Sequence, residues 1–288
     1  MILIIGSEED FHSQYIFEKL TKQNIPAKYL DSRKYPIINW SPEGINDYII
    51  IDKDKIYIKD ITGIYWRIYY GIPFDSSNII YKEKLSALES FLGSLESISW
   101  NSLQAVNLHR QKALQSKIML NNKIRIPRTI VTNDQNMLEK FYIENNKNII
   151  YKPVQGRAFT KKLKEEDLLR KNSLINCPCQ LQECIDGVDI RVYAFNTGEI
   201  YAGEILANII DFREDDNVKI NKHTLPKKIQ KDCLKILKIL NLKYSGIDIR
   251  LSKNGEYVFI EANPAPMFFY FEKITGYEIT NTLIRNLQ

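Results

Sequence analysis

The chain has 288 residues, 44% of them apolar and 26% charged, with a formal net charge of +5. That length can bury a sizeable core in one large domain or in two to three subdomains, and no apolar run approaches the ~20 residues of a membrane span. The mild positive balance suits an anionic substrate such as a nucleotide or an acidic peptide and is too small to argue for nucleic acid.

The opening MILIIGSEED lacks the charged start and cleavage site of a signal peptide, and the four cysteines show no framework spacing. Both features point to a cytoplasmic protein with reduced thiols. MILIIG, FHSQYIFEKL and IPAKYLD read as strand, helix and strand, with Asp10 as the helix cap and Leu20 closing its apolar stripe. No GxGxxG follows the first strand, so a dinucleotide site is not indicated. YIIIDKDKIYIKDI reads as a hairpin turning over Asp52 to Lys55. ITGIYWRIYYGIP gathers aromatics around Arg67, and the residues favour a core strand with a snorkelling arginine. Between Tyr81 and Ile98, the spacing of Leu85, Leu88, Phe91, Leu92 and Leu95 predicts an amphipathic helix.

NLHRQKALQSKIMLNNKIRIPRTIVTN predicts a helix, a short connection and a strand opened by Pro127. NIIYKPVQG predicts a buried strand broken by Lys152, which either snorkels at the strand end or pairs with an anion. Cys177, Cys179 and Cys184 lack the spacing and the neighbouring histidine that zinc needs. DIRVYAFNTGEIYAGEI reads as a hairpin turning at Asn196 to Gly198. HTLPKKIQKDCLKILKILN reads as a helix with Pro226 near its start; Ile229, Cys233, Ile236, Leu237 and Leu240 form its buried stripe, and its lysines a solvated face. His223 reads as a surface residue.

The most informative stretch is YSGIDIRLSKNGEYVFIEANPAPMFFYFEKITG, residues 244–276. GIDIRL and EYVFIEAN alternate with period two around Asn254-Gly255, the signature of a two-residue type I′ hairpin. With Lys253 paired to Glu256, Leu251 faces Val258, Ile249 faces Ile260 and Ile247 faces Ala262. The other face then sets Ser252 against Tyr257, Arg250 against Phe259 and Asp248 against Glu261, with Asn263 two residues on. Carboxylates directly opposed at about 5 Å destabilise a sheet unless something offsets them. A hard cation such as Mg²⁺ does so, taking oxygen ligands from one or two carboxylates and from substrate phosphates. The alternative is a solvated hairpin whose acids are screened by Arg250.

Asp248, then Glu261-x-Asn263 followed by Pro264 and by EKITG, resembles the metal-binding signature of the ATP-grasp ligases, and most of all the RimK-like and graspetide (microviridin-type) peptide ligases. The resemblance covers most of residues 105–288 and is weaker before that. It implies an α/β (α+β) ATP-grasp fold: an N-terminal pre-ATP-grasp domain over 1–105, a central subdomain with a lid over 106–185, and a C-terminal antiparallel-sheet subdomain with the metal site over 186–288. It implies ATP and Mg²⁺ as cofactors, with Asp248, Glu261 and Asn263 holding the metal. Lys112, aligned on IPRT and followed by Gln115, and Lys152 would reach ATP; Lys117 and Lys123 compete with Lys112 on spacing. Gln182, Glu183 and Ile185 look like the linker that grips adenine through backbone groups, and Asp189 like the acid that binds ribose. Arg191 and Arg213 would stabilise the transferring phosphoryl group, although either could pair structurally with Asp189 or Asp211. Tyr65-Trp66-Arg67 resembles a graspetide-ligase strand, with Ile68 where a second arginine is expected. The lid loop QGRAFTKK is poor in glycine, so Arg157, Lys161 or Lys162 would supply charge there. Ala265 to Phe269 would line an acceptor pocket.

These resemblances imply a carboxylate ligase working through an acyl phosphate, which crosslinks Asp or Glu side chains of an acidic, leader-bearing ribosomal precursor peptide to Ser, Thr or Lys. A homodimer is compatible with it; nucleic acid and membrane are not expected partners. The alternatives are a RimK-like ligase that adds an amino acid and a nucleotide-binding module without turnover.

Overall fold

The structure, a computed structural model, describes residues 1–66, 78–155, 160–206 and 218–288. Arg67, Ile68, Arg157, Asp211 and Arg213 lie outside them. The chain divides into two compact units, one of residues 1–106, 241–244 and 264–288, the other of residues 107–240 and 245–263.

The first unit is built on a four-stranded parallel sheet. Strands β1 (Ile2–Gly6), β2 (Ala27–Asp31), β6 (Gly63–Trp66) and β7 (Ser99–Trp100) pair in the order β2-β1-β6-β7. β1 is buried at all five positions, as its unbroken apolar run requires of a strand covered on both faces. Helix α1 (Phe11–Lys22) connects β1 to β2, with Asp10 at the N-cap position. The Asp10 carboxylate accepts from Ser13 Oγ at 2.5 Å rather than from a backbone N–H. A small antiparallel sheet, β3 (Ile37–Asn39), β4 (Tyr48–Ile51) and β5 (Asp54–Tyr57), follows. Its β4–β5 turn is shorter than the sequence reading: only Asp52 and Lys53 form it, both at positive φ (+48° and +74°), and Lys55 is already in the strand. Positive φ at both central residues is the type I′ condition.

Helix α2 (Ile79–Ser94) buries Leu88, Phe91 and Leu92 against Leu3, Ile5, Ile64 and Trp66, and ends four residues before Ile98, the end of the segment marked by the apolar spacing. Beyond β7, buried Asn101 adopts φ +61° and acts as a hub. Its Nδ2 donates to the carbonyls of Tyr244 and Pro264 at 2.7 and 2.6 Å, and its Oδ1 accepts from Lys243 N at 2.8 Å. Trp66 Nε1 donates to the Asn101 carbonyl at 2.9 Å. In the same unit, α7 (Phe269–Thr275) starts where the backbone N–H groups of Phe268 and Phe269 both donate to His12 Nε2. Phe268, expected at an acceptor pocket, is instead 1% exposed and packs edge-on against His12 and Tyr244.

The second unit holds two antiparallel sheets. One runs β10 (Lys161–Lys162), β9 (Ile149–Pro153), β11 (Cys179–Glu183), β8 (Thr129–Thr132), over a core of Leu138, Phe141, Tyr142, Ile149, Leu163 and Leu181. The other runs β14 (Lys219–Lys222), β13 (Ile200–Leu206), β12 (Gly187–Phe195), β15 (Tyr244–Ser252), β16 (Tyr257–Asn263). Helix α6 (Lys227–Ile239) buries Ile229, Cys233, Ile236 and Leu237, the expected stripe, because only that face repeats apolar residues at helical spacing. The single helix read at the start of NLHRQKALQSKIMLNNKIRIPRTIVTN is two: α3 (Leu103–Arg110) and α4 (Lys112–Asn121), broken at Gln111 with φ −98° and ψ 61°. His223 is half-buried, its Nε2 2.9 Å from the Tyr257 hydroxyl. No helix among the described residues is long and apolar enough to cross a membrane.

Candidate active site

The β15–β16 hairpin sets Asp248 opposite Glu261 and Gly246 opposite Asn263, as the alternation predicted. It does so by a different route. Near the turn the observed pairs are Ile249 with Phe259, Arg250 with Val258 and Leu251 with Tyr257, one residue out of step with the sequence reading. The loop is not a two-residue type I′ turn. Lys253, Asn254 and Gly255 form a three-residue loop, with Gly255 at φ +80°, Gly255 N bonded to Ser252 O and Ser252 N to Glu256 O, both at 2.9 Å. Glu256 N also donates to Ser252 Oγ at 3.0 Å, which helps close the strands on that pair. A bulge at Ile260 inserts one residue before the site and restores the alignment of Asp248 with Glu261.

Each carboxylate carries its own cation. Arg191 Nη1 lies 2.5 Å from Asp248 Oδ1, and Lys112 Nζ lies 2.6 Å from Glu261 Oε2. Both pairs are largely enclosed, the cationic side chains being 12% and 14% exposed. Burial and the charge of Glu261 push the Asp248 carboxyl up, against the pull of Arg191. Burial works on Glu261 in the same direction, but Lys112, Lys152 and His109 outweigh it and hold this carboxyl down at about 2. One acid of the pair is therefore firmly ionised and its neighbour is easier to protonate, as expected for like charges sharing a site. Arg191 also stands over the Tyr193 ring, 5.2 Å from its centroid.

Two alternatives left open by the sequence, Arg250 screening these acids and Asp189 pairing with Arg191, are not the pairings that form. Arg250 Nη1 lies 2.8 Å from Asp189 Oδ2, and its Nε donates to the Ile185 carbonyl at 3.0 Å. β12 and β15 are adjacent, so each arginine meets the acid across the strand boundary rather than its sequence neighbour.

The backbone that carries the two ligand candidates of β16 is clamped. Gln115 Nε2 donates to the Ala262 carbonyl and Gln115 Oε1 accepts from Ala262 N, both at 2.9 Å. His109 Nδ1 lies 3.2 Å from the same carbonyl, and its Nε2 lies 3.4 Å from Lys112 Nζ. Burial and the adjacent Lys112 charge push the His109 pKa down to about 4. His109 carried no sequence signal: a lone histidine in an amphipathic helix has no motif around it.

Of the remaining candidates, Lys152 sits on β9 opposite Gln180, close enough for its charge to help hold Glu261 ionised. Gln182 is 1% exposed; its Nε2 bonds Thr129 Oγ1 at 2.9 Å, while its Oε1 is buried with no protein partner among the described residues. The Glu183 carboxylate is committed to the Arg128 N–H at 3.0 Å and to Arg125 at 3.6 Å. Glu183 N donates to Arg128 O, and Cys184 N to Asn148 O. Lys117 and Lys123, the competitors of Lys112, are exposed. Cys177, Cys179 and Cys184 are free thiols, and no group of three or more His, Cys, Asp or Glu side chains is disposed for a metal among the described residues.

That donor set fits Mg²⁺. Asp248, Glu261 and Asn263 offer two carboxylates and a neutral amide oxygen, a partial shell that suits an ion which keeps waters and shares phosphates, not a closed protein cage. The lysine and arginine around it suit a triphosphate, and in the other sheet the orphaned Gln182 oxygen on β11, beside the β9 strand of Lys152, suits a polar ligand.

Comparison with known proteins agrees with this geometry. Residues 109–287 match the RimK-like ATP-grasp domain. Among solved structures the chain is similar to the ATP-grasp ligase PsnB complexed with minimal precursor, at 26% identity and a TM-score of 0.87, over 99% of this chain and 97% of that one. It shares the fold of macrocyclase MdnC from Microcystis aeruginosa MRC, bound with precursor peptide MdnA (21% identity, TM-score 0.85, 100% and 99% covered). It shares it too with a Chryseobacterium gregarium RiPP-associated ATP-grasp ligase in complex with ADP and a leader and core peptide (22%, 0.82, 99% and 94%). No curated protein sequence matches the chain. With a matched domain that spans more than half of its length, the chain belongs to the RimK-like ATP-grasp family and is an ATP-dependent ligase that uses Mg²⁺.

Proposed function

We propose that this ligase crosslinks a ribosomally made precursor peptide, joining side-chain carboxylates to hydroxyl or amino groups within it through an acyl phosphate. The observation that carries the substrate class is the extent of the likeness. Similarity to PsnB, a ligase solved with its minimal precursor, runs over 99% of this chain, so it includes residues 1–108, which lie outside the matched ATP-grasp domain.

Asp248, Glu261 and Asn263 would hold Mg²⁺, which when bound offsets charge on the triphosphate and on the phosphoryl group in transfer. Lys112 and Lys152 would bind phosphate oxygens. The backbone of Gln182, Glu183 and Ile185 would receive the adenine, and Asp189, braced by Arg250, the ribose hydroxyls. Arg191, and Arg213 outside the described residues, would steady the phosphate and the acyl phosphate, a role suited to a planar fork of donors. The same reading keeps the three-part division at 105 and 185. It also puts the enzyme in the cytosol, as a homodimer acting on an acidic precursor that complements the net charge of +5.

The test is to incubate the enzyme with ATP, Mg²⁺ and a candidate precursor peptide and to weigh the product. Each ring formed removes the mass of one water. A mass gain of one amino-acid residue would instead identify a ligase that adds an amino acid, and no change over a panel of peptides would exclude the crosslinking activity.

A further inference from the structure

We infer that His109 is a positioning residue that presents Lys112 to the nucleotide: its neutral imidazole gives the ammonium a second acceptor beside Glu261. The argument is one of donors and acceptors. His109 Nδ1 lies 3.2 Å from the Ala262 carbonyl oxygen, which can only accept, so Nδ1 carries the proton. His109 Nε2 lies 3.4 Å from Lys112 Nζ, which can only donate, so Nε2 carries the lone pair. A neutral imidazole in this tautomer satisfies both contacts, whereas an imidazolium satisfies only the first.

The position in the chain fits the role. His109 lies in the last turn of α3 and Lys112 is the first residue of α4, so the break at Gln111 lets the two side chains meet around a corner. Gln115, one turn further on, grips the same Ala262 peptide from both sides. The imidazole thus ties the lysine to the strand segment that bears Glu261 and Asn263. Glu261 alone is an unreliable anchor, because a divalent ion on its carboxylate competes with the ammonium for the same charge. His109 offers an uncharged nitrogen acceptor, a donor type that a hard, oxygen-preferring Mg²⁺ competes for poorly. Lys112 then keeps its place with hydrogens left over for phosphate oxygens.

This inference rests on Lys112 being the nucleotide-facing lysine, and the experiment separates the two. The chain has three histidines, so ¹⁵N-histidine NMR of the protein without nucleotide yields three rings, and His109→Gln identifies the one of interest. We expect a neutral ring with its proton on Nδ1, whose Nε2 resonance shifts in Lys112→Met. A proton on Nε2, or no shift in that variant, overturns the inference without reference to activity. Calorimetry of Mg-ATP binding supplies the second readout. His109→Leu should weaken binding roughly tenfold, the scale of one charge-assisted hydrogen bond. His109→Gln, which restores an acceptor oxygen, should stay within about threefold of the parent. Unchanged binding in His109→Leu would remove the positioning role. Unchanged binding in Lys112→Met would instead remove the assignment of Lys112 itself.

Discussion

Arg250 passes over the carboxylate two residues before it on its own strand and pairs with Asp189 on β12, 2.8 Å away. This leaves Asp248 to Arg191, at 2.5 Å. The two ion pairs cross the same strand boundary and divide the labour of the sheet: one holds a candidate ribose ligand, the other a candidate metal ligand. Arg250→Met should therefore raise the KM for ATP about tenfold through Asp189, on the scale of a lost charge-assisted hydrogen bond, and leave kcat within about twofold. Steady-state kinetics in which kcat fell and KM stayed put would contradict that division.

The two proposed metal-binding carboxylates should behave differently. Asp248→Asn and Glu261→Gln are each expected to lower kcat by roughly 10²-fold or more, the scale of losing electrostatic stabilisation of the transferring group. Chelation of divalent ions should stop phosphate release by the parent enzyme, and Mg²⁺ should restore it. Both variants should need more Mg²⁺ for half-maximal rate; an unshifted Mg²⁺ titration would place the metal elsewhere.

Lys112 and Glu261 form a pair whose members should not be removed singly. Lys112→Met leaves a carboxylate that is only 22% exposed without its 2.6 Å partner, an expected cost of about 1–3 kcal/mol in urea unfolding. Adding Glu261→Gln should recover part of that loss, because the second change removes the stranded charge. Strict additivity in the double-mutant cycle would mean that the pair contributes nothing to stability.

Asn101 is the structural residue to test in the first unit. Four hydrogen bonds to one side chain hold Lys243, Tyr244 and Pro264, and its φ is +61°. Asn101→Gly tolerates the backbone conformation and loses only the amide, so its effect isolates the hydrogen bonds. We expect a loss of about 2–4 kcal/mol, read from a melting or urea curve. A variant as stable as the parent would show that water replaces the amide without cost.

Two glycines make a contrasting pair. A Cβ at Gly187 would lie 1.9 Å from the Leu251 carbonyl oxygen, on the strand beside it, while at Gly255 it would meet open space. Gly187→Ala should force β12 away from β15 and cost about 1–3 kcal/mol or more. Gly255→Ala carries only the penalty of φ +80°, about 1 kcal/mol. Thermal shifts in the reverse order would rule out the close approach of those strands.

Local chemistry was legible in the sequence wherever a pattern is set by neighbours along the chain. The apolar run of MILIIG, the helical spacing of Ile229, Cys233, Ile236 and Leu237, and the alternation that opposes Asp248 to Glu261 all survive in the structure. The last of these survived an incorrect turn. Asn254-Gly255 signals a two-residue loop, but Ser252 and Glu256 close a three-residue one, and the bulge at Ile260 cancels the slip. A turn rule sees four residues and cannot register a compensating insertion five positions away.

The sequence by itself determined the periodicities, the opposition of Asp248 to Glu261 and, through ordered motifs, the family, because these depend on residue type and spacing. Only the tertiary structure decided which cation meets which acid, that Gln115 and His109 grip the peptide of Ala262, and that Phe268 belongs to a core. Side chains find their partners across strands about 5 Å apart, and the ion pairs and the contacts to Ala262 join residues 57 to 153 positions apart along the chain, a distance no local pattern encodes.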